Sequence, residues 1–200
     1  MPQPNTPLND NIWRLFKAGD TAAFEALYRF YAAALLNYGN KISSDRTLVE
    51  DSIQDLFFEL WKSRERTTEP NSVRLYLFKA LRYKIYRNIK ANDFTNAVDI
   101  DTERFEDLAF PSHEANLIGF EIESLQMENL RALIRDLPAR QQEAINLRYY
   151  HGFSNEEVAA IMGVNYQSAC NFLFAAIRKL KLNLKISVSS FAIFLKFFLF

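Results

Sequence analysis

The sequence predicts an all-α fold: two helical domains joined by an acidic linker, the second ending in a helix-turn-helix. Gly is scarce, with five in 200 residues. Long stretches repeat apolar residues at three- and four-residue intervals and show no strand-like alternation. Residues 153–181 carry the start and stop signals of two short consecutive helices.

Three helices are legible in the first domain, residues 1–94. The first runs from about Thr21 to Tyr38 behind Gly19-Asp20, with Phe24, Leu27, Tyr28, Tyr31 and Leu35 on one side. The second runs from about Arg46 to Lys62. Its apolar side is Val49, Ile53, Leu56, Phe57 and Leu60, and Glu50, Asp51, Gln54, Asp55, Phe58 and Glu59 fall largely opposite. The third follows Pro70-Asn71-Ser72 and reaches about Asn92, with Leu77, Phe78, Leu81, Ile85 and Ile89 inward. Helices of this length with short connections make a bundle.

Charge separates the last two helices. Arg74, Lys79, Arg82, Lys84, Arg87 and Lys90 follow one another with no acid between, and Tyr76, Tyr83 and Tyr86 lie among them. Cations hold a phosphate backbone, and aromatic faces stack on unpaired bases at roughly 1 to 3 kcal/mol per base. The balance then reverses: residues 93–123 hold nine acids against Arg104 alone, and with Pro111 and weak periodicity they read as the linker, centred on 95–120.

Periodicity resumes in the second domain, residues 121–185. One helix is expected from Ile122 to Asp136, a stop at Leu137-Pro138, and another from about Ala139 to Tyr150. Ser154 and Glu157 stand at capping-box spacing, and Phe153 and Val158 occupy the positions of a hydrophobic staple. Gly163 suits a left-handed C-terminal cap and Asn165 a fresh N-cap. On the helix that follows, Ala169, Leu173, Ala176, Ile177 and Leu180 form the buried stripe. Gln167, Ser168, Asn171, Phe174, Ala175 and Arg178 are left outward, the face that in a helix-turn-helix enters the major groove. There Gln and Asn hydrogen-bond base edges, and an apolar group meets a thymine methyl.

Composition excludes several alternatives. The formal net charge is zero, so any DNA binding must come from local patches. One Cys allows no internal disulfide, and His113 and His151 make no metal-ligand spacing. No nucleophile and base pair or phosphate-cradling glycine loop points to catalysis, so neither an enzyme, a cofactor nor a small-molecule substrate is expected. The polar start Met1 to Pro7 is not a secretion signal, which predicts a cytoplasmic chain.

Several segments together resemble a known family. They are Lys17-Ala18-Gly19-Asp20 with Ala23-Phe24 and Leu27-Tyr28; Asp51-Ser52-Ile53-Gln54-Asp55-Leu56-Phe57; Tyr76-Leu77-Phe78-Lys79-Ala80; and Leu130 to Gln142 leading into Gly152 to Ala159. Over roughly residues 10–184 the chain is similar to a bacterial RNA polymerase sigma factor of the extracytoplasmic-function group, within the sigma-70 family, reduced to its region 2 and region 4 domains. The resemblance implies core RNA polymerase and promoter DNA as partners, with an anti-sigma factor, including a membrane-bound one, as a third. Asp51, Gln54, Asp55, Phe58 and Glu59 would then dock on the polymerase. The loop 63–72 and the basic helix would take the minus-ten element, with a flipped base, through Asn71, Ser72, Arg74, Tyr76, Lys79, Arg82, Tyr83, Tyr86 and Arg87. Gln167, Ser168, Cys170, Asn171, Phe174, Arg178 and Lys179 would face the minus-thirty-five element, and the acidic linker would pass near the active-site channel.

The chain departs from that family where basic residues are common: Cys170, Phe172 and Ala175 stand there, so phosphate anchorage on the recognition helix is expected to be thin. Cys170 reads as a small side chain filling a helix position rather than a redox switch. Two other classes stay open on sequence alone, a helix-turn-helix regulator that binds duplex DNA without polymerase and a degenerate sigma factor that titrates an anti-sigma partner. The tail 186–200 falls outside the family pattern. Phe191 to Phe200 is apolar at nine of ten positions, too short for a bilayer-spanning helix of about 20 residues. It reads as a helix extension folded on its own domain, a latch between the domains, or a docking segment for a membrane-bound anti-sigma factor.

Overall fold

A computed structural model describes residues 10–93 and 130–184, all of them in helices, turns and short connections. The acidic linker, the helix start at Ile122 and the apolar tail expected from sequence lie outside the described residues. The chain divides into two compact units.

The first unit holds α1 (Asp10–Lys17), α2 (Thr21–Ile42) as far as Gly39, α3 (Arg46–Ser63) and α4 (Val73–Asp93). The sequence reading missed α1, whose eight residues are too few to show a period. What fixes it is its end. The Gly19 N–H donates to the Phe16 carbonyl and the Asp20 N–H to the Leu15 carbonyl, with Gly19 at φ +89°. This is a Schellman cap, which needs a residue free to adopt the left-handed conformation. Asp20 then caps α2, its Oδ1 accepting from the N–H groups of Ala22 and Ala23 at 2.8 and 3.1 Å. Trp13 and Phe16 are buried, and Phe16 packs against Phe24 and Trp61, closing one end of the bundle with aromatic rings.

Along α3 burial alternates in register with the helix: Val49, Ser52, Ile53, Leu56, Phe57 and Leu60 are buried. Asp45 starts the helix, its side chain accepting from the Leu48 N–H at 3.0 Å. On α4 the buried residues are Leu77, Phe78, Leu81, Lys84 and Ile85, whereas Ile89 is only half-buried. The three long helices meet at Gly39. A Cβ there would collide with Cγ1 of Val49 and stand 3.3 Å from Cδ1 of Ile85.

The second unit holds a helical stretch over residues 130–135, α5 (Ala139–Ile145), α6 (Asn155–Met162) and α7 (Tyr166–Leu184). Gln142 ties the first two together: its Nε2 donates to the carbonyls of Arg135 and Leu137 at 3.0 and 2.7 Å, satisfying acceptors that a helix end leaves open. The α-helix expected to run to Tyr150 instead widens into one π-helical turn, Asn146–Tyr150. There the His151 N–H reaches the Asn146 carbonyl five residues back. A π-turn of five residues is too short to show a period of its own against the α-helical one.

Replacing Gly39 by Ala is expected to lower unfolding free energy. Overpacking of this kind costs roughly 1 to 3 kcal/mol, against a gain of about 1 kcal/mol for removing a helical glycine. Urea denaturation of the two proteins checks the sign.

Candidate nucleic-acid and polymerase interface

In the first unit, burying one stripe of α3 forces the complementary stripe outward. Asp51, Gln54, Asp55, Phe58 and Glu59 are all exposed, Phe58 at 65%. An aromatic ring standing in water among carboxylates is an anchor without a partner inside the unit. Glu59 differs from the rest. At 3.6 residues per turn it lies roughly 80° around the helix from Asp51, on the rim that faces α4, and its Oε1 pairs with Nζ of Lys84 at 2.7 Å.

Lys84 corrects the sequence reading. It is one of the six cations whose chemistry suggests a hold on phosphate, yet its side chain is 6% exposed. The reason is phase: Lys84 stands seven residues after Leu77 and three after Leu81, in the apolar stripe, and only an acid on the neighbouring helix makes burial of its ammonium tolerable. The hydrogen bond from Lys84 holds the Glu59 carboxyl below its ordinary value of 4.5. A second polar link lies on the same rim, where Asn88 Nδ2 donates to Ser52 Oγ at 3.1 Å.

The other minus-ten candidates sort into two groups. Lys79, Tyr83 and Arg87, with Lys90 beyond, are exposed at four- and three-residue steps and form one outer ridge, on which Tyr83 is 67% exposed. Beside it Arg82 lies over the Tyr86 ring at 4.4 Å, a cation and a flat aromatic face presented together. Arg74 and Tyr76 sit deeper. Arg74 lies over Phe78 at 5.8 Å, and Tyr76 meets Trp13 edge-on at 6.3 Å with its phenol pushed up by burial and then by Glu59. Ser72 caps α4, accepting from the Leu75 N–H at 3.2 Å, while Asn71 is exposed before it. Between α3 and α4 opens a cavity of about 150 Å³ with Leu56, Leu60 and Ala80 as apolar floor.

In the second unit the helix-turn-helix forms as its local chemistry dictates. Ser154 Oγ accepts from the Glu157 N–H at 3.2 Å while the Glu157 carboxylate accepts from the Ser154 N–H at 2.8 Å. Phe153 and Val158 are both buried. Gly163 takes φ +65°, and Asn165 restarts the chain by accepting from the Ser168 N–H at 2.7 Å. On α7, Gln167, Asn171, Phe174 and Arg178 are exposed along one ridge. Gln167 Nε2 donates to Asn171 Oδ1 at 3.1 Å, so the two amides present themselves as a pair. Ser168 and Cys170 are half-buried, and Cys170 Sγ accepts from Asn155 Nδ2 at 3.6 Å. Lys179 donates to the Asp136 carbonyl at 2.6 Å. Its charge therefore closes the 130–135 helix end, a role that a separation of 43 residues hides from sequence reading.

Among the described residues no group of three or more His, Cys, Asp or Glu is placed to hold a metal ion, and no helix is long and apolar enough to cross a membrane.

Two family models match the chain, Sigma-70 region 2 over residues 27–95 and Sigma-70 region 4 over residues 127–180. The ECF RNA polymerase sigma factor SigL of Mycobacterium tuberculosis is 25% identical over 171 residues, covering 84% of this chain and 92% of that protein. The fold is similar to that of the sigma factor RpoE of Bartonella quintana, solved in complex with the anti-sigma factor NepR. The TM-score is 0.61 at 23% identity, over 82% of this chain and 98% of that one. It is also similar to CnrH in complex with the cytosolic domain of CnrY, with a TM-score of 0.57 at 17% identity, over 88% and 97%.

The Glu59–Lys84 pair makes a pH prediction. A carboxyl whose folded value is lowered stabilises fully above its unfolded value and loses that contribution as pH falls through the folded one. Wild type should exceed Glu59→Gln in stability by a constant margin well above the ordinary carboxyl value of 4.5, and the margin should shrink as pH falls below it. Denaturant titrations at several pH values measure it.

Proposed function

We infer the division of labour between the two units from one premise: the chain belongs to the sigma-70 family, and within it to the extracytoplasmic-function group of RNA polymerase sigma factors, which direct transcription initiation. The exposed stripe of α3, with Asp51, Gln54, Asp55 and Phe58, docks on core polymerase. The α4 ridge of Lys79, Tyr83 and Arg87, with the Arg82–Tyr86 pair, Arg74, Tyr76, Asn71 and Ser72 around it, takes the melted minus-ten strand. In the second unit α7 reads the minus-thirty-five duplex through Gln167, Asn171 and Phe174, with Arg178 on phosphate and Ser168 and Cys170 at the edge of the face.

The observation that carries this reading is the sorting of charge on two neighbouring helices of one unit: acid and an unpartnered aromatic outward on α3, cations and tyrosines outward on α4. A duplex-binding regulator that never met polymerase would have no use for the first. The chain acts in the cytoplasm, where polymerase and promoters are, and without catalysis of its own. An anti-sigma factor is its regulator in this reading, supported by a similar fold that was solved with such a partner bound.

Reversing Asp51 and Asp55 to Lys is expected to weaken assembly with core polymerase at least tenfold while leaving thermal unfolding unchanged, because both side chains point into solvent. Quantitative pull-down against core enzyme decides it, and undiminished affinity sinks the docking assignment. Strand capture is tested separately. Tyr83→Ala should impair use of duplex promoters more than of pre-melted ones in an open-complex assay, since stacking on unpaired bases is what it removes. Equal losses would mean a packing defect.

A further inference from the structure

The outer face of α7 continues past the residues assigned to base reading. Phe174, Arg178 and Leu182 follow one another at four-residue steps and all are exposed. Leu182, at 75%, is more exposed than any other large hydrophobic residue described. It lies about 12 Å along the helix axis from Phe174, beyond the ridge that would meet bases. Around it the charge has one sign: from Val158 to Phe200 stand Arg178, Lys179, Lys181, Lys185 and Lys196, and no Asp or Glu. The sequence that follows α7 adds five phenylalanines between residues 191 and 200.

We propose that the outer face of α7, together with the residues after it, docks on an anionic phospholipid surface and lies in the headgroup region without crossing it. Cations and apolar groups interleaved in one segment need a partner that takes both. DNA supplies phosphate but leaves Leu182 and the phenylalanines in water. A bilayer surface supplies phosphate and, just beneath it, an apolar boundary that accepts rings and aliphatic chains. Arg and Lys reach the headgroups while their stems lie along the apolar layer. Each such cation beside an anionic leaflet strengthens binding about fivefold. The apolar run from Phe191 is half the roughly 20 residues that a spanning helix needs, so the interface is where it can be satisfied. Phe174 and Arg178 belong to this face and to the base-reading face, and a bilayer and a promoter therefore compete for α7. That competition, unlike the docking itself, rests on the reading of α7 as the recognition helix.

Co-sedimentation of the full chain with vesicles decides it, using phosphatidylglycerol mixed with phosphatidylcholine against phosphatidylcholine alone. The mixed vesicles should bind at least tenfold more tightly, with the advantage shrinking as salt is added. Leu182→Asp combined with Lys185→Glu changes no residue assigned to polymerase or promoter and should weaken vesicle binding roughly tenfold or more. Should that protein fold poorly, Lys181→Gln with Lys185→Gln removes two cations, adds no acid and should also weaken binding about tenfold or more. The proposal is overturned if the chain ignores anionic vesicles at low salt, if it binds both lipids equally, or if the substitutions change nothing. Recruitment to native membranes that protease treatment abolishes, without binding to pure lipid, overturns it too and assigns the face to a membrane protein. Duplex carrying the minus-thirty-five element should displace the chain from vesicles. If it does not, while vesicle binding keeps its dependence on charge and on Leu182, the recognition-helix reading fails and the lipid surface stands.

Discussion

The close approach at Gly39 is the constraint on which the first unit depends. With no Cβ in the way, α2 lets Val49 of α3 and Ile85 of α4 come against its backbone, and the helices can share one core only in a narrow range of rotations about their axes. Once Val49 is fixed inward, the 3.6-residue period carries Ser52, Ile53, Leu56, Phe57 and Leu60 inward with it. Asp51, Gln54, Asp55 and Phe58 then have nowhere to go but solvent. Their common face is thus a consequence of packing, and it holds only while the core holds its rotation. The ring cluster of Trp13, Phe16, Phe24 and Trp61 reinforces it from one end.

Two polar links then set how α4 lies along α3. Hydrophobic stripes tolerate a slide or a small rotation, but Asn88 on Ser52 and Lys84 on Glu59 do not. A buried ammonium without its acid is strongly disfavoured, so the pair penalises every register except one more than it stabilises the correct one. The register matters because it determines which side chains of α4 border the cleft. One turn further along, Lys79 would stand where Tyr83 stands, and a flat stacking surface would be exchanged for a mobile cation.

What could be read from sequence was what is decided within a few residues. The Ser154–Glu157 box, the Gly163 and Asn165 turn, and the α3 stripe all follow from spacing and local hydrogen bonds, and each stands where spacing put it. What escaped depends on partners far along the chain. Lys84 looked like one more surface cation until α3 supplied Glu59, 25 residues earlier; its phase with Leu77 and Leu81 was the available signal. Lys179, expected to face the minus-thirty-five element, also donates to the carbonyl of Asp136, 43 residues earlier. The first helix was invisible for another reason, since eight residues hold barely two turns and its identity lies in the cap at Gly19. The π-turn at Asn146–Tyr150 is too short to show a period of its own.

Zero net charge conceals this sorting, and the second unit carries it furthest. Residues 153–177 contain Glu156 and Glu157 and no Lys or Arg, so the proposed reading ridge of Gln167, Asn171 and Phe174 would approach DNA with little to neutralise phosphate until Arg178. Affinity for duplex DNA rises with the number of phosphates neutralised, and so does its sensitivity to salt. A helix-turn-helix of this composition therefore discriminates among sequences better than it holds any of them. Such a reader is effective when something else holds it at the promoter, because linkage turns a weak second contact into an intramolecular one at high effective concentration. In the reading proposed above, the basic ridge of α4 and the docking stripe of α3 lie on the same covalent chain and would provide that hold. The proposed reading thereby assigns binding to the first unit and upstream discrimination to the second.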